Sequence, residues 1–204
     1  MITLGIGMDN DIEIVPALKR VELKNVGCWA ELCTKFLPGL NIITGDSGTG
    51  KSTILRAIVK AVHPSSRTVP LSVTNGCGEG CISVEFMRPA VSVSLEKISP
   101  KPKTDESHGQ SMLRLLSSCL KSAQPGTALL VENDVTAALD ISLFREAVKL
   151  LNSACCQVIC IIGHRLDPND FKKARIYSCF WDRAEKKTGI RLQQSPQKKG
   201  RKRE

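Results

Sequence analysis

Hydrophobic and polar positions in this 204-residue chain alternate between two rhythms. Residues 18–26 alternate in part and predict a strand with one wet face; residues 40–44, short and β-branched, predict a strand buried on both faces. Ile54, Leu55, Ala57, Ile58 and Val59 then recur at helical spacing. That helix is expected to end near His63-Pro64, because the residue before proline disfavours helix. Between the two strands, residues 28–38 read as a connection containing Trp29 and Phe36. Residues 65–80 are loop-like. Ile82, Val84 and Phe86 alternate, as do Val91, Val93 and Leu95, with Met87-Arg-Pro89 between them, which predicts a hairpin. A polar, proline-broken linker follows at 99–105.

Beyond the linker, Met112, Leu115, Leu116, Cys119 and Leu120 form one helical face, and Leu143, Phe144, Ala147, Val148 and Leu151 another. Three further buried strands are predicted at 128–131, 157–162 and 176–180. Strands and helices that alternate with short connections imply an α/β fold, a mainly parallel sheet covered on both faces.

The turn between the strand at 40–44 and its helix carries the first chemistry. Gly45-Asp46-Ser47-Gly48-Thr49-Gly50-Lys51-Ser52-Thr53 satisfies the P-loop pattern in its expected strand–turn–helix context. Glycines let successive backbone N–H groups curl around a phosphate, and the helix N-terminus adds partial positive charge. Lys51 is placed to reach the β- and γ-phosphates, and the Ser52 hydroxyl to ligate Mg²⁺.

Composition changes the picture only in part. A hydrophobic fraction of 42% supplies a sizeable core. There is no apolar run of membrane-spanning length. The first residues lack a basic segment and a cleavage site, so a cytoplasmic protein without membrane insertion is expected. Nine cysteines, several inside apolar runs, fit a reduced compartment. Cys77 and Cys81 could hold a metal with another pair such as Cys155-Cys156, but their spacing is only weakly specific for one. From Arg183 onward stand nine Lys/Arg and two acidic residues, so seven of the nine net positive charges lie there. We therefore expect one domain over 1–183 and a basic, largely disordered tail over 184–204. Such a tail suits nucleic acid or an acidic partner, or serves solubility.

In their order, the remaining motifs resemble those of ABC-type ATPases, in particular the soluble RecF-like, SMC-like and stand-alone members. Glu106-Ser107-His108-Gly109-Gln110-Ser111 is similar to the family's signature motif. Residues 133–140, Asn-Asp-Val-Thr-Ala-Ala-Leu-Asp, align without a gap on its D-E-P-T-S-A-L-D, which puts Asp140 at the loop that communicates between protomers. His164 falls at the family's switch histidine. The resemblance implies a P-loop NTPase with a small antiparallel β subdomain, ATP and Mg²⁺ as cofactors, and hydrolysis driving a head-to-tail homodimer cycle. Ser107, Gly109 and Gln110 of one protomer would complete the nucleotide site of the other. A transporter subunit and a non-hydrolysing switch are the alternatives.

Departures from the pattern matter as much. The family ends this strand with a magnesium-organising Asp and then a catalytic Glu. The gapless register gives Asn133 and Asp134 instead; a one-residue slip gives Glu132 and Asn133. A bent strand end would let Glu132 serve magnesium and Asp134 the water. Slow hydrolysis is the expectation. No glutamine occurs between Ile54 and Gly109, so the family's glutamine loop is missing and its helical subdomain is expected to be reduced. Trp29 is the aromatic candidate for adenine stacking, with burial in the core as the competing role.

Overall fold

A computed structural model describes residues 12–64, 71–87, 107–163, 167, 170–171 and 173–193. Their element order is β1 (Ile12–Pro16), β2 (Leu18–Val26), β3 (Trp29–Lys35), β4 (Leu40–Gly45), α1 (Lys51–Val62), β5 (Cys81–Phe86) and α2 (His108–Ser122). There follow β6 (Thr127–Val131), α3 (Asn133–Ala137), α4 (Ile141–Asn152), β7 (Gln157–Ile161), β8 (Arg175–Asp182) and β9 (Lys187–Gln193).

The central sheet runs β1-β6-β7-β4-β8-β9, with β6, β7, β4 and β8 parallel and an antiparallel strand at each edge. Alternation along each strand divides the apolar residues between two cores. Ile42, Leu129 and Cys160 point to one face, where α2 and α4 cover them with Leu113, Leu116, Phe144, Ala147 and Leu151. Ile43, Leu130, Ile159 and Ile161 point to the other, under α1 and a second sheet. That second sheet, β3-β2-β5, is wholly antiparallel and gives its inner residues, Val21, Leu23, Trp29 and Leu32, to the same core.

Two buried carboxamides near where the sheets meet have their hydrogen bonds made, as burial requires. Gln157 Nε2 donates to Leu18 O at 2.9 Å and Leu37 O at 3.0 Å, and Gln157 Oε1 accepts the Leu18 N–H at 2.8 Å. Asn41 donates to Leu37 O, Gly39 O and Val158 O, and accepts from Leu37 N. These amides make one body of the two sheets.

Four elements differ from the sequence expectation or extend it. The connection expected at 28–38 contains β3, whose burial pattern strays from strict alternation. Gly27 at φ 59° and Cys28 form the two-residue turn between β2 and β3. β1 and the short α3 are additions. β9 extends the sheet ten residues past the boundary expected at 183, because Thr188 and Ile190 face inward from an otherwise polar strand. The remainder of the expected tail, 194–204, lies outside the described residues, as do the hairpin partner at 91–95, the linker, Glu106 and His164.

Candidate functional site

The P-loop leaves β4 at the carboxyl end of the parallel strands and enters α1, whose N-terminus no side chain caps and whose first turn holds no acidic residue. Two glycines are fixed by close approach. A Cβ at Gly45 would stand 2.1 Å from Cys179 O on β8. At Gly50, in the left-handed region at φ 77°, a Cβ would meet Cys28 Sγ at 2.3 Å and Trp29 Nε1 at 2.6 Å. The Thr49 hydroxyl donates to Asp46 O at 2.7 Å, closing the loop on itself. Lys51 Nζ spans the loop, donating to Gly45 O at 2.8 Å and Asp46 O at 2.6 Å.

Trp29 turns out to be a strut rather than a free aromatic face. Its side chain is fully buried, and its indole N–H donates to Gly50 O at 3.0 Å, which pins the last turn of the loop. The hairpin tip that carries it is held from behind. Gly27 N donates to Ser72 O at 2.8 Å, and the Thr74 hydroxyl donates to Gly27 O at 3.0 Å and Trp29 O at 3.4 Å. Sequence reasoning missed Cys28, Thr74 and Cys179 as parts of the loop's support, since all three act on it from distant strands and loops. Only the two-residue Gly27-Cys28 turn left a signal.

At the end of β6 the residue before Asn133 meets the loop. The Ser52 hydroxyl donates to Glu132 Oε2 at 3.0 Å, so Glu132, not Asn133, stands against the loop serine. Burial raises the Glu132 carboxyl above its ordinary range and Asp134 adds to this, while the Ser52 bond, Arg56 and the Asn133 backbone oppose it. A half-buried carboxylate paired with a hydroxyl is a hard-oxygen set of the kind Mg²⁺ takes. Asn133 follows directly, with its carboxamide oxygen 3.1 Å from where a Cβ on Gly163 would be. Asp134 is exposed in the first turn of α3. The Thr136 hydroxyl ties this helix to β7 through Ile161 O at 3.2 Å.

The signature residues lie at the start of α2. Ser107 caps that helix: its hydroxyl accepts the Gln110 N–H at 3.3 Å, and its own N–H donates to Gln110 Oε1 at 3.0 Å. Gly109 is buried, and a Cβ there would lie 2.9 Å from Ala138 O, so its smallness lets α2 approach the turn before α4. Asp140 caps α4, accepting from Ser142 N and Leu143 N. Ile141, the next residue, is 67% exposed. Among the described residues no three Cys, His, Asp or Glu side chains gather as a metal-binding group, and no helix is long and apolar enough to cross a membrane.

Comparison with known proteins finds relatives in sequence and in fold. A family model described as an AAA domain matches residues 20–109. The chain is 26% identical over 173 residues to the DNA double-strand break repair Rad50 ATPase of Methanopyrus kandleri, an alignment covering 78% of the chain and 19% of that protein. The chain thus spans about a fifth of the length of that relative. Its fold is similar to the SMC head domain from Thermotoga maritima, with a TM-score of 0.50 and 15% identity over 87% of this chain and 99% of that one. The fold is thus that of an SMC head-like P-loop NTPase, and in sequence the chain is similar to the Rad50 kind of ATPase.

Proposed function

We propose that the chain binds ATP with Mg²⁺ and hydrolyses it slowly, and that nucleotide drives association of two copies. The observation that carries this is the Ser52–Glu132 hydrogen bond at the mouth of a P-loop spanned by Lys51. Backbone N–H groups of the loop and the start of α1 bind the phosphates, and Lys51 leaves its loop carbonyls to neutralise them. Ser52 and Glu132 are the residues that would hold Mg²⁺, whose charge offsets that of the phosphate oxygens. Asn133 then occupies the position after the acid. It orients water through a neutral amide but accepts no proton, which is why hydrolysis is slow while binding is preserved. Asp134, the next residue, is the carboxylate proposed to assist, and His164 is the proposed γ-phosphate contact.

Ser107, Gly109 and Gln110 are proposed to face the nucleotide of a second copy, with Asp140 and the exposed Ile141 beside them. DNA is the proposed partner of the basic segment 194–204, in keeping with the repair role in the Rad50 relative's name. The test is binding of a fluorescent ATP analogue by wild type and Lys51→Ala, with the circular dichroism spectrum as a control for folding. Loss of binding in a folded variant is expected; equal binding overturns the assignment.

A further inference from the structure

Trp181 is 53% exposed, an uncommon setting for so large an apolar side chain. Its place in the fold gives that exposure a use. Gly45 pairs with Cys179 in the β4–β8 ladder, so the end of β8 beyond Cys179 runs alongside the first residues of the P-loop. Side chains alternate along a strand, which puts Trp181 on the same face as Cys179 and its cross-strand partner Thr188. That is the face of α1 and the β2–β3 hairpin, since Cys179 shares a core with Trp29, Ile54 and Ile58. The Cys179 thiol, pushed up to about 12 by burial, is also within electrostatic reach of Lys51 and Cys28. Two residues on, about 7 Å along the strand, Trp181 leaves the core past the level at which β4 passes into the loop.

The opposite flank is already assigned by chemistry. Glu132 follows β6, which is separated from β4 by β7, whereas β8 adjoins β4 on its other side. A triphosphate with its magnesium-bearing end at Ser52 and Glu132 has its nucleoside end directed away from β6, toward β8. Trp29 is fully buried and has no face to offer there.

The hairpin that carries Trp181 is held in place from its other face. A Cβ at Gly189 would meet the Phe180 ring at 2.6 Å, so only glycine lets that ring lie flat across β9. The Arg191 guanidinium sits 5.6 Å from the centroid of the same ring. Asp182 Oδ1 accepts the Ala184 and Glu185 N–H groups at 2.9 and 3.1 Å, which fixes the turn. The strand that carries Trp181 is thereby fixed before any base arrives.

We infer that Trp181 stacks on the base of the nucleotide whose phosphates the P-loop holds, an inference that rests on the nucleotide reading above. A π-face accepts any base and grips the larger purines best. The site therefore favours purine nucleoside triphosphates and discriminates weakly between adenine and guanine.

The experiment titrates Mg-ATP and, separately, inorganic tripolyphosphate into wild type, Trp181→Ala and Trp181→Phe, by calorimetry and tryptophan fluorescence. ATP should quench wild-type emission, and the quench should vanish in Trp181→Phe, which keeps the buried Trp29 as a control. Trp181→Ala should bind ATP about tenfold more weakly, with Trp181→Phe recovering most of the loss. Tripolyphosphate affinity should be the same in all three. Unchanged ATP affinity in Trp181→Ala overturns the inference, and so does an equal loss for both ligands. Wild type binding neither ligand overturns the P-loop reading, and the inference with it.

Discussion

Replacing Trp29 with phenylalanine separates the two things this side chain does. An aromatic ring remains in the core, while the indole N–H that donates to Gly50 O at 3.0 Å is removed. Gly50 O keeps the Ile54 N–H at 3.4 Å, so the carbonyl is not orphaned and the loss is one net hydrogen bond, ~1 kcal/mol. The site is fully buried beneath a tight turn, and the gap left by the smaller ring adds ~1 kcal/mol. Together, ~2 kcal/mol lowers Tm by roughly 4–8 °C in a chain of this size. Because the lost bond holds the loop where it enters α1, nucleotide affinity should also fall, by about fivefold for ~1 kcal/mol of lost preorganisation. Thermal melts followed by circular dichroism and binding of a fluorescent ATP analogue read the two effects separately. A lowered Tm with unchanged affinity would confine Trp29 to the core. Unchanged values of both would refute the strut.

Glu132→Gln should stabilise the unliganded protein at neutral pH. The folded carboxyl has a raised pKa, so its protonated form favours folding, and stability falls as pH rises from the ordinary carboxylate range through that raised value. The Tm advantage of the variant should therefore vanish in acid, while its Mg²⁺-dependent ATP turnover is lost; a variant no more stable at pH 7.5 than at pH 4 argues against a buried charge. Asn133→Glu should raise ATP turnover well above wild type in a phosphate-release assay, and no gain would move the water-positioning role away from this residue. Ser107→Arg should abolish nucleotide-dependent mass doubling in light scattering without loss of ATP binding, whereas a monomer under every nucleotide condition would count against the dimer. Deleting 194–204 should weaken DNA binding and flatten its salt dependence, since fewer phosphates release counterions; an unchanged slope would leave that segment a solubilising role.

Much of the framework was legible because its residues act locally. The P-loop is a contiguous pattern, and Ser107 and Gln110 form a capping box within four residues. The parallel strands announce themselves as short apolar runs because both of their faces are buried. What escaped depends on partners far along the chain. β3 escaped because two successive exposed residues, Ala30 and Glu31, break its alternation. β9 escaped because an edge strand needs few apolar residues. The register at 132–134 could not be settled by aligning side chains, since the chain bends into α3 at Asn133 and the one informative contact, to Ser52, spans 80 residues. Trp29 offered both a stacking and a core role in sequence, and only its burial separates them.

The Gln157 carboxamide also bears on how the chain is made. It grips Leu18 across a separation of 139 residues, and β4 takes both of its sheet neighbours, β7 and β8, from the last third of the chain. On the ribosome, the P-loop strand therefore emerges long before anything can flank it, and β2 before the side chain that fastens it exists. Until residue 157 is out, Leu18, Val21 and Leu23 have no finished core to enter, and the nascent chain presents them to whatever is nearby. Translation pauses or chaperone contacts in that window should matter more to the yield of folded protein than the stability of the finished fold does.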